Sequence, residues 1–166
     1  MSFLRPLTAG EIALLHEAFQ GRIDPSMVRL VDGHDDNPLP RAAFRNGNTA
    51  ITLRRTIYFG RHYCPDFAQA DPNALGLFLH EMTHVWQYAR LGLARFFLKY
   101  ARDLAACRFN ARAMYRYEEG GTPFAEARLE AQAQMVGDYC FARLVGDSAR
   151  QARLARNLKG SGIYGL

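Results

Sequence analysis

Apolar residues in the middle of the chain recur at helical spacing. Leu75, Phe78, Leu79, Met82, Trp86 and Ala89 step by three and four, which draws an apolar stripe along one side of a helix over 73–90. Asp71-Pro72 supplies an N-cap followed by proline at the first helical position, and no proline interrupts the stretch. Upstream, Ile12, Leu15 and Phe19 mark the buried side of a helix over 8–19, with Thr8 at the N-cap and Glu11 at capping-box spacing. β-Branched runs predict short strands at 28–31, 49–53 and 56–59, the last two as a hairpin or sequential strands after the Asn46-Gly47-Asn48 turn. The Gly, Pro, Asp and Asn content of 32–40 reads as a solvated loop, its carboxylates beside His34 included, and 60–71 reads as a connection. A second helix is expected over 93–110, with Phe96, Phe97 and Tyr100 as core residues. After an irregular or strand-like 115–121, Thr122-Pro123 repeats the cap-and-proline signal and predicts a third helix to about 144. Residues 160–166 read as a loose tail.

These elements add up to one α+β domain over 1–166, with a core of about 5–145 and a small sheet packed on the central helix. No internal repeat is present. The first residues lack a continuous apolar segment of signal-peptide length, which places the chain in the cytoplasm unless a specialised apparatus exports it. Cys64, Cys107 and Cys140 are scattered and odd in number, which argues against a disulfide framework or a cysteine metal site. The formal charge of +5 arises from 21 basic residues, of which only Lys99 and Lys159 are lysine. Their one local concentration, Arg143, Arg150, Arg153, Arg156 and Lys159, reads as a solvated basic helix rather than a nucleic-acid surface, because no aromatic residues interleave the charges.

The chemistry lies in the central helix. His80, Glu81, Met82, Thr83 and His84 spell H-E-x-x-H. On a helix the two histidines stand one turn apart on one face, so both rings reach a single metal ion. Glu81 lies about 100° around the helix from His80, placed to act on metal-bound water rather than to ligate. A shuffled chain of this composition would carry the motif roughly 0.005 times. Gly76, one turn before His80, leaves backbone room for a neighbouring strand or substrate.

Catalytic zinc takes three protein ligands and a water, so one ligand must come from elsewhere. No histidine follows His84, which leaves His16, His34 or His62 upstream, or a downstream carboxylate. Glu126, Glu130, Gln134 and Asp138 recur every four residues and share a face of the third predicted helix. Small residues around them, Ala125, Ala127, Ala131, Ala133 and Gly137, allow close approach to the motif helix. Glu130 is central on that face, and Asp138 stands two turns on, where it is expected to accept from a histidine's second nitrogen.

The segments H-E-M-T-H-V-W-Q-Y at 80–88, Y-R-Y at 115–117 and G-T-P-F…E-A-Q-A-Q at 121–134, with R-P-L-T-x-G-E at 5–11 and T-I-Y-F-G at 56–60, resemble the Vgr-related bacterial proteins. These are similar to the zinc metallopeptidase core domain associated with contractile injection systems. The resemblance covers about 5–139. It implies a zincin-like fold and a gluzincin-like site, with His80, His84 and Glu130 on one zinc ion and Glu81 as the catalytic glutamate. Where the family often reads E-Q-Q-A, this chain has Glu130-Ala131-Gln132-Ala133. The expected function is zinc-dependent peptide hydrolysis with Glu81 as general base, an extended peptide pairing with the 56–59 edge, and Tyr115 or Tyr117 stabilising an oxyanion. The alternative is a non-catalytic, zinc-stabilised structural or adaptor module of a type VI-like apparatus, with apparatus proteins as partners. A third reading, a nucleic-acid-associated protease, rests only on the basic tail.

Overall fold

The computed structural model describes residues 3–166. Among the described residues, six α-helices accompany a four-stranded mixed sheet. The strands are β1 (Phe3–Arg5), β2 (Arg29–Asp32), β3 (Ala50–Leu53) and β4 (Thr56–Phe59), in the order β1-β2-β4-β3. β2 runs parallel to β4, pairing Arg29 with Thr56, whereas β1 and β3 are antiparallel to their neighbours. β4 is therefore interior, and the 56–59 edge expected to receive a peptide is already paired on both sides. The outer strand on that flank is β3, tied to β4 by a tight turn in which Arg54 adopts φ 58°.

The first helix, α1 (Ala9–Phe19), begins with the expected capping box: Glu11 N–H donates to Thr8 Oγ1 at 3.1 Å and Thr8 N–H to Glu11 Oε2 at 2.8 Å. Glu11 is wholly buried and also receives both terminal nitrogens of Arg5, at 2.7 and 2.8 Å, and the Phe67 N–H at 2.9 Å. Arg5 adds bonds to the Tyr63 hydroxyl and the Cys64 carbonyl. One buried ion pair thereby fastens β1, α1 and the 60–71 connection.

Asp71 caps α3 (Pro72–Leu91) through the Asn73 and Ala74 amides at 2.8 and 3.1 Å, and Gly92, at φ 74°, ends it. Nearly every side chain from Leu75 to Tyr88 is buried, polar ones included. The helix is not a surface amphipath but the central beam, with the sheet on one side and α5 (Leu129–Leu144) on another. Its Phe78 stacks on Phe67 with centroids 5.0 Å apart, and Phe67 meets Phe59 of β4 at a tilt, 4.6 Å between centroids.

α3 and α5 touch backbone to backbone. A Cβ at Gly137 would fall 2.7 Å from the Gly76 carbonyl oxygen, and one at Gly76 would fall 3.2 Å from the Gly137 oxygen. The room at Gly76 thus admits a helix rather than a strand, and Gly76 also lines a cavity shared with His80 and Glu81.

Four other expectations change. Asn37-Pro38 starts a helix, α2 (Pro38–Arg45), inside the segment read as a loop, with Asn37 Oδ1 accepting from the Leu39 amide at 3.1 Å. The second predicted helix, α4 (Leu93–Ala106), stops early because Arg108 and Phe109 take positive φ. Thr122-Pro123 opens only a 3-10 turn at Phe124–Glu126, since the Thr122 hydroxyl accepts from Glu118 instead of capping; α5 starts at Leu129, which leaves Glu126 off its face. The tail is docked, not loose: Ile163 is buried and the Tyr164 ring lies 4.7 Å from Tyr139. α6 (Ser148–Leu158) buries Leu154 and Leu158, and its Arg150 and Arg153 pair with Glu119, so part of the basic cluster is neutralised within the chain.

Alanine in place of a helical glycine ordinarily adds about 1 kcal/mol of stability. At Gly137 the clash with the Gly76 carbonyl should reverse that sign, costing about 1–3 kcal/mol in urea unfolding. A Gly137→Ala protein more stable than the native one would show that the helices are not in backbone contact.

Candidate metal centre

His80 and His84 project from one face of α3 with ring centroids 5.0 Å apart. Glu130, in the first turn of α5, meets them: its Oε2 lies 3.3 Å from His80 Nε2 and 3.2 Å from His84 Nε2. Among the described residues these three offer ligand atoms that all lie within 4.8 Å of one another. Tetrahedral ligands on zinc bonds of about 2.0–2.1 Å stand about 3.3 Å apart, so the two nitrogen–oxygen separations already match two edges of such a tetrahedron. The donor set, two imidazoles and one carboxylate, also suits zinc. All three side chains are buried.

Glu81 does not join this cluster. Thr52 on β3 donates to Glu81 Oε2 at 2.7 Å, holding the carboxylate between the edge strand and the histidines. Two cavities open beside it. One, of about 490 Å³, includes His80, Glu81, Tyr115, Gly137 and Asp138 in its wall. The other, of about 210 Å³, runs under β3 and reaches His84, Tyr88, Phe97 and Tyr100. Phe96 belongs to a small core cluster as expected, but Phe97 is exposed at the cleft.

The electrostatics follow from sharing one carboxylate. Burial pushes the His84 pKa down, but the Glu130 charge outweighs it and the ring is raised from the ordinary 6.5 to about 9. Burial would raise Glu130, yet His84 and His80 hold it well below the usual carboxylate range. Burial, with the Glu130 charge added, pushes the hydroxyl of Tyr100 up to about 12 and that of Tyr115 higher still. Both tyrosines are therefore neutral donors facing the centre. Tyr115 also stacks on His80, with centroids 5.8 Å apart.

Of the two tyrosines expected near the site, only Tyr115 is there. Tyr117 donates instead to Asp138 Oδ2 at 2.5 Å. Asp138 accepts in addition from Gln134 at 3.0 Å and pairs with Arg150 at 3.3 Å, so its oxygens are committed away from the histidine nitrogens. The acceptor that does meet a ligand ring is Gln87, whose Oε1 lies 2.8 Å from His84 Nδ1. Its position three residues after His84, on the same helix face, was the available signal. Thr52 and Tyr100 had none, since β3 and α4 reach the site only through tertiary packing.

No family model matches the chain. The chain is 30% identical over 158 residues to the type VI secretion system spike protein VgrG2b of Pseudomonas aeruginosa, a match that spans 93% of this chain and 15% of that protein. The solved effector domain of Pseudomonas aeruginosa VgrG2b shares the fold with a TM-score of 0.68 and 30% identity, over 94% of this chain and 82% of the domain. The Vgr-related likeness read from the motifs therefore holds along nearly the whole chain. The chain belongs to the family of the VgrG2b effector domain.

Proposed function

We propose that this chain is an effector-type domain of a type VI-like apparatus, that it holds one zinc ion on His80, His84 and Glu130 within a zincin-like fold, and that its centre hydrolyses peptide bonds. Kinship with a secretion spike protein supports the first part, with apparatus proteins as partners and export as the route. No helix among the described residues is long and apolar enough to cross a membrane, in keeping with a delivered domain. The observation that carries the hydrolytic part is the placement of Glu81 beside the ligand cluster but outside it, held by Thr52. A purely structural site needs no such carboxylate.

Bound zinc supplies Lewis acidity and a water of lowered pKa. Glu81 takes a proton from the attacking water and returns it to the leaving amine. The Tyr115 hydroxyl, kept neutral by burial and by Glu130, donates to the oxygen that becomes negative. β3 lines the cleft as the outer strand, so an extended peptide adds to it rather than to β4. The non-catalytic module draws equal support from the kinship, and the burial of His80, His84 and Glu130 favours it.

Zinc stoichiometry and cleavage of a diverse peptide library separate the two readings. Glu81→Gln is expected to keep zinc and lose about 10²–10⁴-fold in cleavage, whereas Glu130→Ala weakens zinc. A zinc-loaded native chain that cleaves nothing in the library is the non-catalytic module.

The metal-free protein has a pH signature. His84 is raised in the folded state, so the stability from its pairing with Glu130 is complete below 6.5 and is lost as pH rises through about 9. Glu130 is lowered, so its share is present above 4.5 and is lost as pH falls further. The melting temperature of chelator-treated protein should fall from pH 6.5 to 9, while zinc affinity rises as His84 gives up its proton. Glu130→Gln should flatten the melting trend; an unchanged slope would remove the pair as its cause.

A further inference from the structure

His84 turns Nε2 toward Glu130 and Nδ1 toward Gln87 Oε1. Both neighbours only accept, so the protonated ring donates to each; once a metal takes Nε2 in place of that proton, the remaining proton sits on Nδ1, where the Gln87 oxygen holds it. The orientation of the Gln87 amide decides this, and a main-chain group fixes that orientation. Gln87 Nε2 donates to the Leu129 carbonyl at 3.0 Å, so a flipped amide would set oxygen against oxygen. Its second hydrogen goes to Gln132 Oε1 at 3.0 Å, and Gln132 donates onward to the Phe124 carbonyl at 2.8 Å. Gln87 is 1% exposed, so water does not compete for these bonds.

We propose that Gln87 is a positioning residue for the centre, setting the tautomer and ring plane of His84 from the backbone of the residue that precedes Glu130. The proposal rests on the zinc reading above. Leu129 and Glu130 stand side by side at the start of α5, so one amide registers the ligands of α3 against the ligand of α5. A mere clamp between the helices would need only the bonds to Leu129 and Gln132; the bond to His84 is the part that bears on the metal.

Two substitutions separate these roles. Gln87→Met removes both the acceptor for His84 and the donors to α5, whereas Gln87→Glu keeps an acceptor and loses the donors. Zinc affinity is read by competition with a chromophoric chelator, and helix clamping by melting of the zinc-free protein. Gln87→Met is expected to weaken zinc about 10–100-fold, and Gln87→Glu to stay within about threefold of native, although both melt earlier. In the native zinc-loaded chain, long-range proton–nitrogen spectra of the histidines should show His84 protonated at Nδ1 and metallated at Nε2, a readout that needs no variant. Equal zinc affinity for Gln87→Met and native, equal losses in both variants, or metallation at Nδ1 would each overturn the proposal. A native chain that binds no zinc overturns the metal reading itself, and the positioning role with it.

Discussion

The centre depends on how near α5 comes to α3. At Gly76 and Gly137 the two backbones touch, and any side chain at Gly137 would push them apart. From that point α3 runs forward to His80 and His84 while α5 runs back to Glu130, similar distances along helices that rise about 1.5 Å per residue. The crossing thus delivers one carboxylate oxygen to both rings at once. Each glycine gives up about 1 kcal/mol of helix propensity relative to alanine, and what the chain gains is this separation.

A beam buried on most sides has to satisfy the polar groups it carries, because an unpaired buried donor or acceptor costs about 1–3 kcal/mol. α3 does so residue by residue. Thr83 bonds back to the Leu79 carbonyl, Glu81 takes the Thr52 hydroxyl, Gln87 spans His84 and α5, and the two histidines share Glu130. Buried ionic groups rarely stabilise a fold better than well-packed apolar side chains would. Gathering them where α3 meets α5 therefore speaks for a site, unlike the Arg5–Glu11 pair, whose bonds join three segments of chain.

Local signals in the sequence were reliable where the chain itself supplies the partner. The caps at Thr8 and Asp71, the strand runs and the helical spacing of the motif all involve groups within four residues of one another, and the structure follows them. The small residues around Glu130 carried tertiary information because they allow two backbones to meet. Signals failed where another group, near or far in the chain, competes for the same side-chain oxygen. Thr122 looked like a cap but its hydroxyl serves Glu118; Asp138 looked like a partner for histidine but is claimed by Tyr117, Gln134 and Arg150. The order of strands in the sheet, which makes β3 rather than β4 the outer strand by the cleft, has no local signature.

The central claim is that His80, His84 and Glu130 together hold one zinc ion. X-ray absorption at the zinc edge of the loaded protein, compared with Glu130→Ala, tests it most directly. The account predicts one zinc per chain, with two imidazoles and oxygen donors at about 2.0–2.2 Å in the native protein, and a changed oxygen shell in the variant. A zinc environment with fewer than two imidazoles, or one identical in native and Glu130→Ala, would contradict it.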